Sequence, residues 1–350
     1  MMKCRLFALL LGALLLPLHE ASAQQVKLRA NLQGPISNPF YGVSMSRFKE
    51  ETESRSGGAI VIEIFDKSQL FRDEQVVDAV AAGAVDIGTT ASQQFARKVP
   101  AVGILDQPFL FNFRALVRAA ASRGSEVRSL IDDAILAQIG VRVLWWQPLG
   151  DTVFFSKGGD VADPERLKDQ RVAVPGKALE ELVARCGGRP SAITVERFQD
   201  SIKDGAVDAA MLSFPALQPR GLWKVTDTVT YTAHSPVEFF LVINEKTWQS
   251  LSSDHRMLML DAAASVEREM RDRLTDIEAK ARAFAGSKGV KVQELTPDQV
   301  AEWRACSAEM LAGYMERNGD LARRLMGAYG KLRTDPCCTA APSSVAFTRR

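Results

Sequence analysis

Gly83-Ala84-Val85-Asp86 and Gly205-Ala206-Val207-Asp208 are the same tetrapeptide, one in each half of the chain. Each follows a stretch with helical spacing, Glu74 to Ala82 in the first half and Val195 to Lys203 in the second. Each precedes an apolar run, Val85 to Thr89 and Val207 to Leu212, that reads as a buried strand. A glycine at a helix C-terminus takes the left-handed conformation that closes the helix, and the chain then turns into a sheet. Four such common residues would mean little alone. Their placement between helix and strand, twice, predicts two similar α/β domains.

Working outward, Val26 to Leu32 alternates like a strand and Gly34-Pro35 breaks it. Pro39 opens a helix carrying Phe40, Val43 and Phe48, which Gly57-Gly58 ends. Ala59 to Phe65 is a strand with Ile60, Ile62 and Ile64 on one face, and Asp73 is placed to cap the helix from Glu74. The order β, α, β, α, β implies a sheet covered by helices. Between the repeats, Val141 to Trp146 is a strand whose adjacent Trp145 and Trp146 should face one inward and one outward. A polar break follows, then extended Thr152 to Ser156, a short helix from Asp163-Pro164, and a strand over Arg171 to Val174. Val237 to Asn244 is another strand. Asp254 then caps a long helix to about Ala285, with Val266, Met270, Leu274, Ile277, Ala281 and Phe284 in one stripe. At ~1.5 Å per residue such a helix spans most of a two-domain protein. Thr296-Pro297-Asp298-Gln299 is a capping box with proline at the first helical position, and more helix follows. The tail, 331–350, loses all periodicity from Asp335 and is expected to be disordered.

The chain has 350 residues, more than one hydrophobic core of ~250–300 residues accommodates. Its 44 basic and 42 acidic residues nearly cancel and form no basic stripe, which excludes nucleic acid as the main partner. Only three histidines are present, which excludes a His-rich metal site, and no nucleophile elbow, Walker A or dinucleotide fingerprint occurs. Neither catalytic residues nor a metal nor a cofactor is expected.

At the N-terminus, Lys3 and Arg5 precede an apolar run from Leu6 to Leu18, and Ala21-Ser22-Ala23 supplies small residues for cleavage. Residues 1–23 therefore read as a secretory signal peptide, too short to span a bilayer. Removing them leaves 327 residues with a net charge of +1. Cys186, Cys306, Cys337 and Cys338 remain, and an exported protein can oxidise them, but their spacing demands no bridge.

Further residues carry a family likeness. In order come Ser68-Gln69-Leu70 after the second strand, the first tetrapeptide, Asp106-Gln107-Pro108-Phe109-Leu110-Phe111, and Trp145-Trp146. Leu167-Lys168 with Arg171 to Pro175, the second tetrapeptide, His234-Ser235-Pro236, and Asn244 to Trp248 before the long helix complete the set. Over roughly residues 26–330 the chain resembles the DctP-type solute receptors of tripartite ATP-independent periplasmic (TRAP) transporters. The resemblance implies an α/β, two-lobed periplasmic binding protein, type II-like, with discontinuous lobes joined by hinge strands and a long C-terminal helix. Lobe I is expected over 24–148 plus about 235–270, and lobe II over 149–234 plus about 271–330. It also implies a monomeric periplasmic receptor that closes on a small molecule and delivers it to the small and large subunits of an ion-gradient-driven membrane permease. A ligand sensor for a membrane signalling partner is the alternative.

The family's usual carboxylate grip is an arginine in a K-x-R-x-P strand, but this chain reads Arg171-Val172-Ala173-Val174-Pro175, with Ala173 at that position. A second arginine position is Thr152, and a polar element after the second repeat is Met211-Leu212-Ser213. Two explanations stay open: a less charged, more apolar or aromatic ligand, which the three absences favour, or another basic residue in the arginine's place. Phe154, Phe155, Leu212, Phe214 and Phe239 are candidates to line an apolar pocket. Arg171, on the same strand face as Ala173, is a candidate displaced anchor. Asn38 in the first loop, Gln69 and Glu74 near the second helix, and Thr90 and Ser92 at a strand's C-terminal end complete the candidate ligand set. His234 lies near an interlobe crossing, as a structural hydrogen-bonding group or a pH sensor.

Overall fold

A computed structural model describes residues 25–338 and shows why the tetrapeptide occurs twice. Gly83 and Gly205 have φ of 72° and 68°, and each closes a helix with its own N–H, on the carbonyls of Val80 and Ile202. Val85 and Val207 drop into the core. The aspartates then act at a distance. Asp86 Oδ2 accepts from the backbone N–H of Arg29 (2.8 Å), and Asp208 Oδ2 accepts from that of Arg171 (2.9 Å). Each tetrapeptide thus ends one helix and pins the start of the neighbouring strand. The next strands begin two residues later than the apolar runs suggest, at Ile87 and Ala209.

The strands are β1 Val26–Asn31, β2 Ile60–Phe65, β3 Ile87–Ala91, β4 Val141–Ser156, β5 Arg171–Val174, β6 Arg189–Ala192, β7 Ala209–Ser213, β8 Thr228–Tyr231, β9 Pro236–Asn244 and β10 Lys291–Glu294. They run β2-β1-β3-β9-β4-β7-β5-β6, with β8 on β4 and β10 on β8. The order is pseudo-symmetric: β1 lies between parallel β2 and β3, and β5 between parallel β6 and β7. Two lobes result, each an α/β sheet. β4 belongs to both, pairing β9 through Asp151 and then β7 from Thr152. The expected polar break is a bend in one continuous strand, where Gly150 has φ of 94° and the β4–β9 register slips between Pro148 and Asp151.

Helices cover the sheets: α1 Tyr41–Arg55, α2 Val76–Ala81, α3 Ser92–Phe95, α4 Arg114–Ala121, α5 Glu126–Ile139, α6 Pro164–Leu167, α7 Lys177–Arg185, α8 Phe198–Lys203, α9 Glu245–Ser250, α10 Ser253–Ser287, α11 Pro297–Ser307 and α12 Met310–Thr334. The short helix expected from Asp163-Pro164 forms with Asp163 as its cap, and the capping box expected at Thr296 forms in full. The cap of α10 is Ser252 and not Asp254, because the Ser252 hydroxyl accepts from the His255 N–H. Asp73 caps nothing; it lies inside a short 3₁₀ turn that precedes α2. Trp145 and Trp146 do point to opposite faces of β4, but both are buried, since each face carries a core. α10 runs along both lobes: Met259 to Met270 belong to a first-lobe core and Ala285 to a second-lobe core.

Two expectations about the C-terminal third change. α12 starts at Met310 in the second-lobe core, but packs Tyr314, Leu325 and Tyr329 into a first-lobe core with α4 and α5, so most of the helix sits on the first lobe. The tail is ordered further than expected, with 331–334 completing α12 and Cys338 buried beside Ala115. Cys186 on α7 and Cys306 on α11 form a disulfide that the spacing did not demand. The expected signal peptide, 1–23, lies outside the described residues. No helix among the described residues is long and apolar enough to cross a membrane.

Candidate functional site

The parallel strands of both lobes aim their C-terminal ends at one cleft, the position where open α/β sheets bind ligands. A cavity there contains about 720 Å³ of empty space, its open mouth included. The first lobe's wall is Asn38, Phe40 and Tyr41 after β1, Asp73 before α2, and Ala91, Gln93 and Gln94 after β3. The second lobe's wall includes Thr152, Pro175 after β5, Leu179 of α7, Leu212 and Ser213 ending β7, and Arg220. Leu149, Val237 and Phe239 form a floor where β4 and β9 cross between the lobes. Tyr41 stacks on Phe239, with ring centroids 5.9 Å apart and planes 6° apart.

Arg220 is the cation in this lining. It sits in a tight turn: its N–H bonds the Ala216 carbonyl, and Gly221, with φ of 65°, bonds that of Gln218. Its guanidinium lies 3.7 Å from Glu196 and remains partly exposed. Facing it from the first lobe is Asp73, a buried carboxyl. Thr90 Oγ1 donates to Asp73 Oδ1 (2.7 Å), and Gln94 Nε2 approaches Oδ2 (3.4 Å). Burial pushes the Asp73 carboxyl up to about 6, against the Thr90 hydrogen bond and the positive field of Arg220. Burial also raises the Tyr41 phenol, with Arg220 opposing. Gln94 Oε1 is buried with no hydrogen-bond partner among the described residues.

Of the residues singled out in the sequence, Asn38, Thr152 and Leu212 line the cavity, as does Phe239. Thr152 Oγ1 is shared with Ser235 Oγ at 3.1 Å, which ties it to the lobe crossing. Thr90 stands behind the wall and holds Asp73. Glu74 borders an adjoining outer groove. The others are elsewhere, each for a physical reason. Gln69 is exposed and bonds Asp66. Ser92 is fully buried outside the lining. Ala173, Phe155 and Phe214 are second-lobe core, and Phe154 packs on Trp303. Arg171 is no displaced anchor, since Asp208 holds its guanidinium in two hydrogen bonds at the far end of β5. His234 is buried under Phe109 with Nδ1 on Thr232 Oγ1, and burial lowers it to about 3. It stays neutral through ordinary pH, which removes the pH-sensor reading.

The sequence reading missed Arg220, Asp73, Gln93 and Gln94 as wall residues. One signal was available for Arg220: Gln218-Pro219-Arg220-Gly221 is a turn soon after the second repeat's strand, at the sheet end where ligands sit.

Two lobes hinged by shared strands, with an arginine in the cavity between them, define a solute-binding protein. The chain belongs to the DctP family, bacterial extracellular solute-binding protein family 7, whose family model matches residues 35–318. It is a solute-binding protein of the TRAP type. A solute-binding protein from Chromohalobacter salexigens is 23% identical over 301 residues, covering 84% of this chain and 87% of that one. A TRAP periplasmic solute-binding protein from Roseobacter denitrificans, solved with β-D-glucuronate, superposes with a TM-score of 0.80 at 24% identity, over 87% of this chain and 99% of that one. An extracytoplasmic solute receptor from Bordetella pertussis that binds pyroglutamic acid gives a TM-score of 0.81 at 20% identity, with the same coverage of both chains.

Proposed function

We propose that this protein is a periplasmic receptor that closes its two lobes on a small organic acid and hands it to an ion-gradient-driven permease of small and large subunits. The observation that carries the reading is Arg220 in the interlobe cavity. The family's usual arginine position holds Ala173, buried in the core, and Arg220 in the lining supports the reading in which another basic residue takes its place. A guanidinium offers a permanently charged fork that suits a carboxylate. The relatives solved with glucuronate and pyroglutamate bind acids as well. The apolar residues around Arg220 favour an acid with an apolar body over a bare dicarboxylate. Export by cleavage after Ala23, a monomeric state, and lobes of 24–148 with about 235–270 against 149–234 with about 271–313 complete the reading, 314–334 going with the first lobe.

The test is binding. Calorimetry against a panel of monocarboxylates, dicarboxylates and neutral compounds should find acids that bind the wild type. Arg220→Gln should weaken those acids by about 10- to 100-fold, the size of one charge-assisted hydrogen bond. Tight binding of neutral compounds that Arg220→Gln leaves unchanged would overturn the reading.

A further inference from the structure

The charge around the cavity is unbalanced in a way that a simple acid would worsen. Arg220 already faces two carboxyls, Glu196 at 3.7 Å in its own lobe and Asp73 across the cleft. Glu74 and Arg97 border the outer groove beside Asp73, together with Glu180 of α7, which Lys177 already pairs at 3.0 Å. A ligand carboxylate on Arg220 would add a negative charge to a wall that already carries an excess.

The first-lobe wall is also rich in acceptors. Asp73 projects a carboxyl into the lining, held in place by Thr90, and Gln94 Oε1 beside it is buried and unpartnered among the described residues. A buried acceptor without a donor costs about 1–3 kcal/mol, so such a pair marks a place where a donor is expected to arrive. Between the acceptors and Arg220 the lining is apolar, with Phe40, Leu149, Leu179 and Val237.

We infer that the ligand is a carboxylic acid with a second, N–H-donating group: its carboxylate meets Arg220 and its N–H donor, an amine or a lactam, meets Asp73 and Gln94 Oε1. This rests on the acid-receptor reading above and narrows its substrate class. An N–H group satisfies the orphaned Gln94 oxygen, and a cationic one also offsets the added negative charge. Asp73 would then select among acids, while Arg220 would bind acids in general.

Matched probes separate the two roles. The pairs are L-leucine with 4-methylpentanoate, L-phenylalanine with 3-phenylpropanoate, 5-aminopentanoate with pentanoate, and L-pyroglutamate with cyclopentanecarboxylate. Thermal shift followed by calorimetry on the full mature chain should show the N–H-bearing member of at least one pair binding about tenfold or more tighter. Asp73→Asn should erase that preference, bringing the affinity of the N–H-bearing member down to that of its donor-free partner, and Gln94→Met should reduce it. Arg220→Gln should weaken both members. If acids bind but the donor-free members match or exceed their partners in every pair, the N–H inference falls and the acid-receptor reading stands. If no member of any pair binds, the inference falls; the wider acid panel then decides the acid-receptor reading separately.

Discussion

Buried carboxyls outside the cleft set how this protein responds to pH. Asp106 is fully buried and accepts from Gln93 Nε2 at 2.7 Å, and burial pushes it up to about 7 despite that bond. The groove beside it also carries Arg97, Lys177, Glu180, Glu181 and Arg317. A folded-state value above the ordinary 3.8 means the folded protein holds a proton that the unfolded chain has released. Stability from this group is therefore full below about 4 and falls as pH rises toward 7. His234 works the other way: its folded value near 3 makes stability fall as pH drops from 6.5 toward 3. Asp106→Asn keeps an acceptor for Gln93 and removes the ionisation. The variant should match wild type at pH 4 and be more stable by roughly 2–4 kcal/mol at pH 8. Urea unfolding at the two pH values checks this, and an equal difference at both would refute the assignment.

At the scale of elements, the second lobe is tied together by a covalent link that its packing does not require. The Cys186–Cys306 bridge joins α7 to α11 across a sequence separation of 120. Trp303 on α11 packs against Phe154 and donates its indole N–H to the Ala162 carbonyl (3.0 Å). α11 thus has an apolar anchor of its own, and reduction should loosen the lobe without releasing the helix. Closing so long a loop restricts the unfolded chain by about 4–5 kcal/mol in the chain-entropy account. Reduction, or the double substitution Cys186→Ser with Cys306→Ser, should lower unfolding stability by about 2–5 kcal/mol and leave helical circular dichroism unchanged. An unchanged midpoint in denaturant would show that the bridge contributes nothing. The same elements show what was legible beforehand. β1, β2, β5, the cap at Asp163 and the box at Thr296 are determined by neighbours in sequence, so local patterns reveal them. The disulfide, the docking of α12 on the first lobe and the placing of Asp73 and Arg220 in one cavity join segments distant in sequence. Periodicity carries no information about such pairings. Ala173 departs from the family's usual grip, and the fold brings Arg220 to the cavity on the turn that directly follows the 3₁₀ segment Phe214–Leu217 after β7.

At the scale of the whole molecule, the lobes are joined by β4, β9 and α10, and the way these cross sets the motion available. Gly150 lies at the β4 bend with φ of 94°, and a Cβ there would lie 2.6 Å from Glu278 Oε1 on α10. Glu278 in turn pairs with Arg114 of α4, so strand, long helix and first-lobe helix meet at the crossing. A bend concentrated there leaves each lobe's core intact, which is the signature of hinge motion. A ligand can shift the open–closed balance only through contacts that exist in one state. In the proposed mode those contacts are Arg220 from one lobe and Asn38, Tyr41 and Asp73 from the other, and they coincide only when the lobes meet. Moving the population from mostly open to mostly closed requires about 10⁴-fold tighter binding to the closed state. Removing one lobe's anchor should therefore uncouple binding from closure. With the tightest acid from the panel at saturation, small-angle scattering of the wild type should show a reduced radius of gyration. Arg220→Gln, saturated with the same acid, should stay nearer its unliganded radius. Equal compaction of both proteins would show that closure does not depend on the Arg220 contact, and no compaction of the wild type would reject hinge closure itself.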